Sequence, residues 1–124
     1  MSSMTRTTSG DVLFHRLTRD ELTLDTTLLT QHKRTARTLV KEGPLRITLM
    51  AMAAGGDLPE HHTDGPLTIH VRQGDVVFKA LGADYPLVAG DVLVFAAGVA
   101  HSAHSQSGCV FLLTVVHTAA SVSG

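Results

Sequence analysis

Apolar and polar residues alternate in twos along most of this chain. Leu45, Ile47, Leu49 and Ala51 alternate with Arg46, Thr48, Met50 and Met52, the signature of a half-buried strand. Leu67, Ile69 and Val71 alternate in the same way with Thr68, His70 and Arg72. Gln73-Gly74-Asp75 then reads as a turn, with Val76, Phe78 and Ala80 as a hairpin partner. Tyr85 to Val88 and Val92 to Phe95 are two more short strands, separated by Ala89-Gly90-Asp91. Val110 to Val116 is apolar on both faces, which predicts an interior strand. Arg37 to Lys41 is β-capable and ends at a Glu42-Gly43-Pro44 turn. The leucines between Val12 and Arg34 fit neither period, so an arm with a short strand or helical turn is expected there. Many short strands with glycine turns, and no long helical pattern, predict an antiparallel sandwich or barrel.

Length and composition narrow the class. A chain of 124 residues with 44% hydrophobic content suits one packed domain. Residues 1–11 read as a disordered polar tail, 12–118 as the barrel and 119–124 as a C-terminal tail. A formal net charge of -1 gives no long-range attraction for nucleic acid or an anionic membrane. No apolar run nears the roughly 18 residues that span a bilayer. The polar N-terminus lacks the apolar stretch of a secretory signal. The single cysteine, Cys109, fits a reducing compartment, so a cytoplasmic protein is expected.

The richest stretch runs from Gly90 to Ser105, GDVLVFAAGVAHSAHS. Its spacing of Gly90, Gly98 and His101 resembles the second motif of the small single-domain cupins. Ala96 and Ser105 stand where that motif has proline and asparagine. The first cupin motif, anchored on Gly55 and Gly74, puts His61 at its first histidine, Thr63 at its second and Leu67 at its glutamate. The resemblance covers about Leu45 to Val116. It implies an all-β jelly-roll barrel of two packed antiparallel sheets, with two of the three ligands of the first motif replaced.

Only alternate side chains of a strand face the interior, so His61 and His62 should not both point inward. Two registers follow. In one, His61 and Thr63 face the cavity and His61 meets His101. In the other, Glu60 and His62 face inward and join His101 as two imidazoles and a carboxylate, the facial set of non-haem iron oxygenases. Glycine spacing favours the first, and a bulge at Pro59 would permit the second. His104 is a further donor if the chain bends after His101. His70 should face outward or into a subunit interface, and Leu67 should be buried. Asp75 and Asp91 read as turn carboxylates bonding their own backbone.

These residues predict a barrel pocket that binds a divalent ion (Zn²⁺, Fe²⁺, Mn²⁺ or Ni²⁺), a small ligand or both, with an empty pocket as the competing expectation. The alternative is a metal-dependent dioxygenase or isomerase acting on a small organic acid or carbonyl compound. An arm and exposed sheet edges further predict a homodimer.

Overall fold

The structure is a computed structural model that describes residues 11–118. The two expected tails fall outside the described residues, except for Asp11 of the first. The leucine-rich arm forms two short helices, α1 (Leu17–Glu21) and α2 (Thr26–His32). Asp25 caps α2, its carboxylate accepting from the N–H groups of Thr27 and Leu28 at 2.9 and 3.1 Å. Eight strands follow: β1 (Arg34–Glu42), β2 (Leu45–Met52), β3 (Gly56–His61), β4 (Leu67–Ala80), β5 (Ala83–Val88), β6 (Val92–Phe95), β7 (His101–Ser105) and β8 (Cys109–Val116). Every pairing is antiparallel. One sheet runs β1-β2-β8-β4-β6 and the other β3-β7-β4-β5, so the fold is an all-β barrel of the jelly-roll kind.

The expected hairpin turn at Gln73-Gly74-Asp75 is absent. Instead β4 is one strand of 14 residues that runs through both sheets. A bulge between Val71 and Gln73 changes its phase. Leu67, Ile69 and Val71 are therefore buried before the bulge, and Val76, Phe78 and Ala80 after it. The inserted residue produces the same change of parity that a turn would leave in the sequence. The true hairpin lies further on, where Leu81 (φ 52°) and Gly82 (φ 76°) close the Ala80–Ala83 pair. Two consecutive positive φ angles are those of a type I′ turn, matched to strand twist.

The core lies between the sheets. Phe78, Phe111, Leu67, Ile69, Val71 and Val76 are each at most 2% exposed, and burying a side chain of this size stabilises by about 1.5–3 kcal/mol. On β2 the inward face is Met50 and Met52, not Leu49 and Ala51. Leu49 and Ala51 are nevertheless buried, on a face they share with Thr35 of β1. Both faces of β2 are thus covered, because α2 packs on β1 and the arm is tied down at several points. His15 Nε2 lies 2.9 Å from the Leu39 carbonyl. Glu21 accepts from Arg72 Nε at 2.6 Å and from Gln73 Nε2 at 3.0 Å.

Gly74 (φ 76°) bends β4 against β8, where an added Cβ would lie 2.0 Å from the Gly108 carbonyl oxygen. Gly90 has a similar backbone (φ 95°) with open space around it. Gly90→Ala should therefore cost about 1 kcal/mol, for conformation alone. Gly74→Ala should cost on the order of 3 kcal/mol or more, because the paired backbones of β4 and β8 must also move apart. Equilibrium denaturant unfolding of both variants checks this, and equal losses would remove the steric argument.

Candidate functional site

β3 and β7 carry the histidines. Gly56 pairs with Ser105 and Leu58 with Ala103, but His61, not Glu60, pairs with His101. One residue is inserted between Leu58 and His61, and this bulge puts His61 on the face of Leu58. The bulge expected as a route to the Glu60–His62 register thus serves the other one. The two imidazoles meet edge to face with centroids 4.4 Å apart.

Their surroundings differ. His101 is 1% exposed, stacked on Phe95 at 4.7 Å and 10° and near Phe78 at 6.2 Å, whereas His61 is exposed. Their hydrogen bonding is the same. His101 Nδ1–H donates to the Val99 carbonyl at 2.9 Å, and His61 Nδ1–H donates to the Pro59 carbonyl at 2.9 Å. A carbonyl can only accept, so in the neutral rings each Nε2 keeps its lone pair. Fixing the tautomer through the far nitrogen is how proteins orient a metal-binding imidazole. Among the described residues, His101 Nε2 is the buried side-chain polar atom left without a hydrogen-bond partner. Such an orphan costs about 1–3 kcal/mol.

The other expected donors do not join this pair. Glu60 and His62 are exposed. His104 lies on the opposite face of β7 from His101, with Nδ1 2.7 Å from Asp57 Oδ1. Thr63 donates its hydroxyl to the Gly65 carbonyl at 2.9 Å. Leu67 is buried, as expected, at 2% exposure. Among the described residues, no group of three or more His, Cys, Asp or Glu side chains is placed to hold a metal ion. His70 is half-buried on the face of β4 opposite Leu67, Ile69 and Val71. Asp91 accepts from the Val88 N–H at 2.9 Å, as a turn carboxylate should, whereas the Asp75 carboxylate takes the Ser107 hydroxyl instead of backbone.

A cavity of about 370 Å³ is lined by Arg46, His62, Thr63, Asp64 and His117 and includes neither His61 nor His101 in its wall. Gly98 N–H donates to the Thr63 carbonyl at 2.8 Å, joining the cavity wall to the loop that leads into His101. Arg46 Nη1 is braced on the Gly43 and Leu45 carbonyls at 2.6 and 3.0 Å. His117 Nδ1 lies 2.8 Å from Asp64 Oδ1. Sequence reasoning missed Arg46, Asp64 and His117. The one available signal was the Arg46-Thr48-Met50-Met52 alternation, which marks a face without saying that it points inward. A second cavity of about 330 Å³, lined in part by Leu29, Gly74, Gly108 and Cys109, lies by the β4–β8 bend. Burial pushes the Cys109 thiol up, as suits an inert buried cysteine.

A family profile described as a cupin domain matches residues 48–116. The chain belongs to the cupin family. Solved structures agree on the fold. A cupin superfamily protein from Desulfitobacterium hafniense is similar at 21% identity and TM-score 0.67, over 68% of this chain and 78% of that one. The Cnp3 cupin domain of Schizosaccharomyces pombe is similar at 16% identity and TM-score 0.72, over 90% and 79%. The DMSP lyase DddQ of Ruegeria pomeroyi is similar at 17% identity and TM-score 0.63, over 68% and 47%. No curated protein matches the sequence. Among the described residues, no helix is long and apolar enough to cross a membrane.

Desolvation lowers the His101 pKa below its ordinary 6.5, outweighing the opposite pull of the Val99 carbonyl; His61 and His62 lower it further. The unfolded chain therefore binds the proton more readily than the fold does. This contribution to stability is complete above pH 6.5, and it is lost as pH falls through the folded-state value. Chelator-treated protein should destabilise between pH 7 and 5 more than its His101→Leu variant does. Parallel pH profiles from denaturant unfolding would contradict this.

Proposed function

We propose that this cupin is a binding module whose barrel mouth takes a divalent metal ion on the Nε2 atoms of His61 and His101. A small ligand fills the remaining coordination positions. The observation that carries this reading is the orphaned His101 Nε2, buried and held in one tautomer beside a second imidazole of identical wiring. Two positions of an ion fit these side chains, and Thr63 and Leu67 offer nothing for the others. Zn²⁺, Fe²⁺, Mn²⁺ and Ni²⁺ all accept imidazole. A bound ion would polarise the ligand's oxygens as a Lewis acid. The dioxygenase or isomerase alternative needs Glu60, His62 and His101 as one donor set, and no such three-donor group exists among the described residues. The lone buried thiol supports a cytoplasmic location.

Equilibrium dialysis against millimolar Zn²⁺ should give one ion per chain. His61→Ala and His101→Ala should each weaken binding by more than the roughly 10–100-fold that losing a hydrogen bond behind a metal ligand costs. Unchanged stoichiometry and affinity in both variants would defeat the proposal.

The homodimer is part of the same reading. β6 is a sheet edge without lysine or proline, and Val92 and Val94 on it are 59% and 62% exposed, an edge left open to pairing. Light scattering should report twice the chain mass, and Val94→Lys should return it to one. A parent that stays at one chain mass at high concentration refutes the dimer.

A further inference from the structure

The two sheets differ on their outer sides. On the sheet β3-β7-β4-β5 the outward positions include Asp57, His104, Ser102, Lys79 and Asp84. That is the polar exterior expected of an antiparallel sheet with one face in water. The sheet β1-β2-β8-β4-β6 has no such exterior. Its registers set Val94, Thr68, Thr114, Ile47 and Val40 in one row across all five strands, opposite in parity to the buried Leu67 and Ile69. The next row runs Val92, His70 and Leu112 before it reaches Leu49, which is buried. None of these eight side chains carries a fixed charge, and Val92 and Val94 are 59% and 62% exposed. Charge begins at the border, with Arg37 beyond Leu49 and with the Arg72–Glu21 pair, which neutralises itself.

We infer that a second copy of this chain lies face to face on that uncharged side, so that the dimer is a stack of two such sheets. This rests on the homodimer proposed above and names the surface that forms it. Under a two-fold axis a patch meets itself, so any charge in it would be set against its own kind. This patch has none. Five strands at about 4.8 Å make it roughly 24 Å wide. Its eight residues form the dry centre of an interface that standardly uses about 20–30 a side. The arm adds apolar surface at the Val40 end, where His15 is fixed to the Leu39 carbonyl and the preceding Val12 and Phe14 are 81% and 70% exposed. A membrane is the poorer occupant, because the chain has no tryptophan and a formal net charge of -1. Pairing at the β6 edge alone is smaller. β6 has 4 residues, and joining it to a second β6 leaves Thr114, Ile47 and Leu112 as uncovered as before. His61 and His101 lie on β3 and β7 of the other sheet, so the stack leaves them clear.

The test is sedimentation equilibrium of the full chain and four variants. Thr114→Lys and Thr68→Lys place a charge on β8 and β4, strands with a neighbour on both sides and no free edge. Each should raise the dimer dissociation constant by about a hundredfold or more, because two lysines enter one dry interface. In the free chain the lysine stem lies along the sheet with its ammonium in water. Both variants should therefore fold, which far-ultraviolet circular dichroism checks, and either suffices if the other does not. Val94→Lys, on the same row, should act as they do. Ser102→Lys, on the outer side of the other sheet, should leave the constant unchanged.

A dimer kept by Thr114→Lys and Thr68→Lys but lost in Val94→Lys is joined at the β6 edge, which overturns the stacked face and leaves the homodimer standing. Loss of the dimer in Ser102→Lys also overturns the stack, by moving the interface to the other sheet. A parent that stays at one chain mass at high concentration overturns the homodimer itself and this face with it. Sedimentation of that single chain with phosphatidylcholine vesicles would give the face to lipid instead.

Discussion

A β-strand shows its side chains to opposite faces in turn, and one inserted residue exchanges the faces for everything beyond it. Two such insertions organise this barrel. The bulge in β4 lets a single strand bury Leu67, Ile69 and Val71 in one sheet and Val76, Phe78 and Ala80 in the other. The bulge in β3 turns His61 toward His101 and leaves Glu60 and His62 outside. Without the first the sheets would not share a core. Without the second the two imidazoles would not meet.

Chemistry at the mouth follows from what surrounds that meeting. The Pro59 and Val99 carbonyls, each two residues before its histidine, fix the rings so that the neutral forms present Nε2 as an acceptor. The stacked Phe95 ring and the burial of His101 keep its Nε2 dry. Desolvation and the neighbouring imidazoles then favour the neutral ring. Geometry, tautomer and charge state all leave the same atom with a free lone pair.

Most of the strands were legible because each buries one face, and Leu67 and the His61–His101 pairing followed from glycine spacing. The misread turn at Gln73-Gly74-Asp75 has a definite cause: a bulge and a hairpin leave the same break in parity, and only pairing partners tell them apart. The arm was ambiguous because α1 and α2 have 5 and 7 residues, too short for a clear 3.6-residue period. Arg46 was overlooked because alternation separates two faces without naming the inner one. On β2 the arm buries the outer face too, so the more apolar face is not the one that lines the barrel. The cavity walls at Asp64 and His117 come from loops and a strand end, where periodicity carries no information.

The arm also sets an order of events. It is synthesised first, yet Glu21 finds Arg72 and Gln73 only 51 and 52 residues later in the chain. Part of its docking surface, β1 with the Leu39 carbonyl, follows at once, and the rest exists only once β4 has emerged. A nascent chain halted before Arg72 would hold the arm by β1 alone, beside strands that still lack β8 and most of β4, the kind of intermediate that chaperones hold. Docking of the arm is thus complete only when the middle strands have folded.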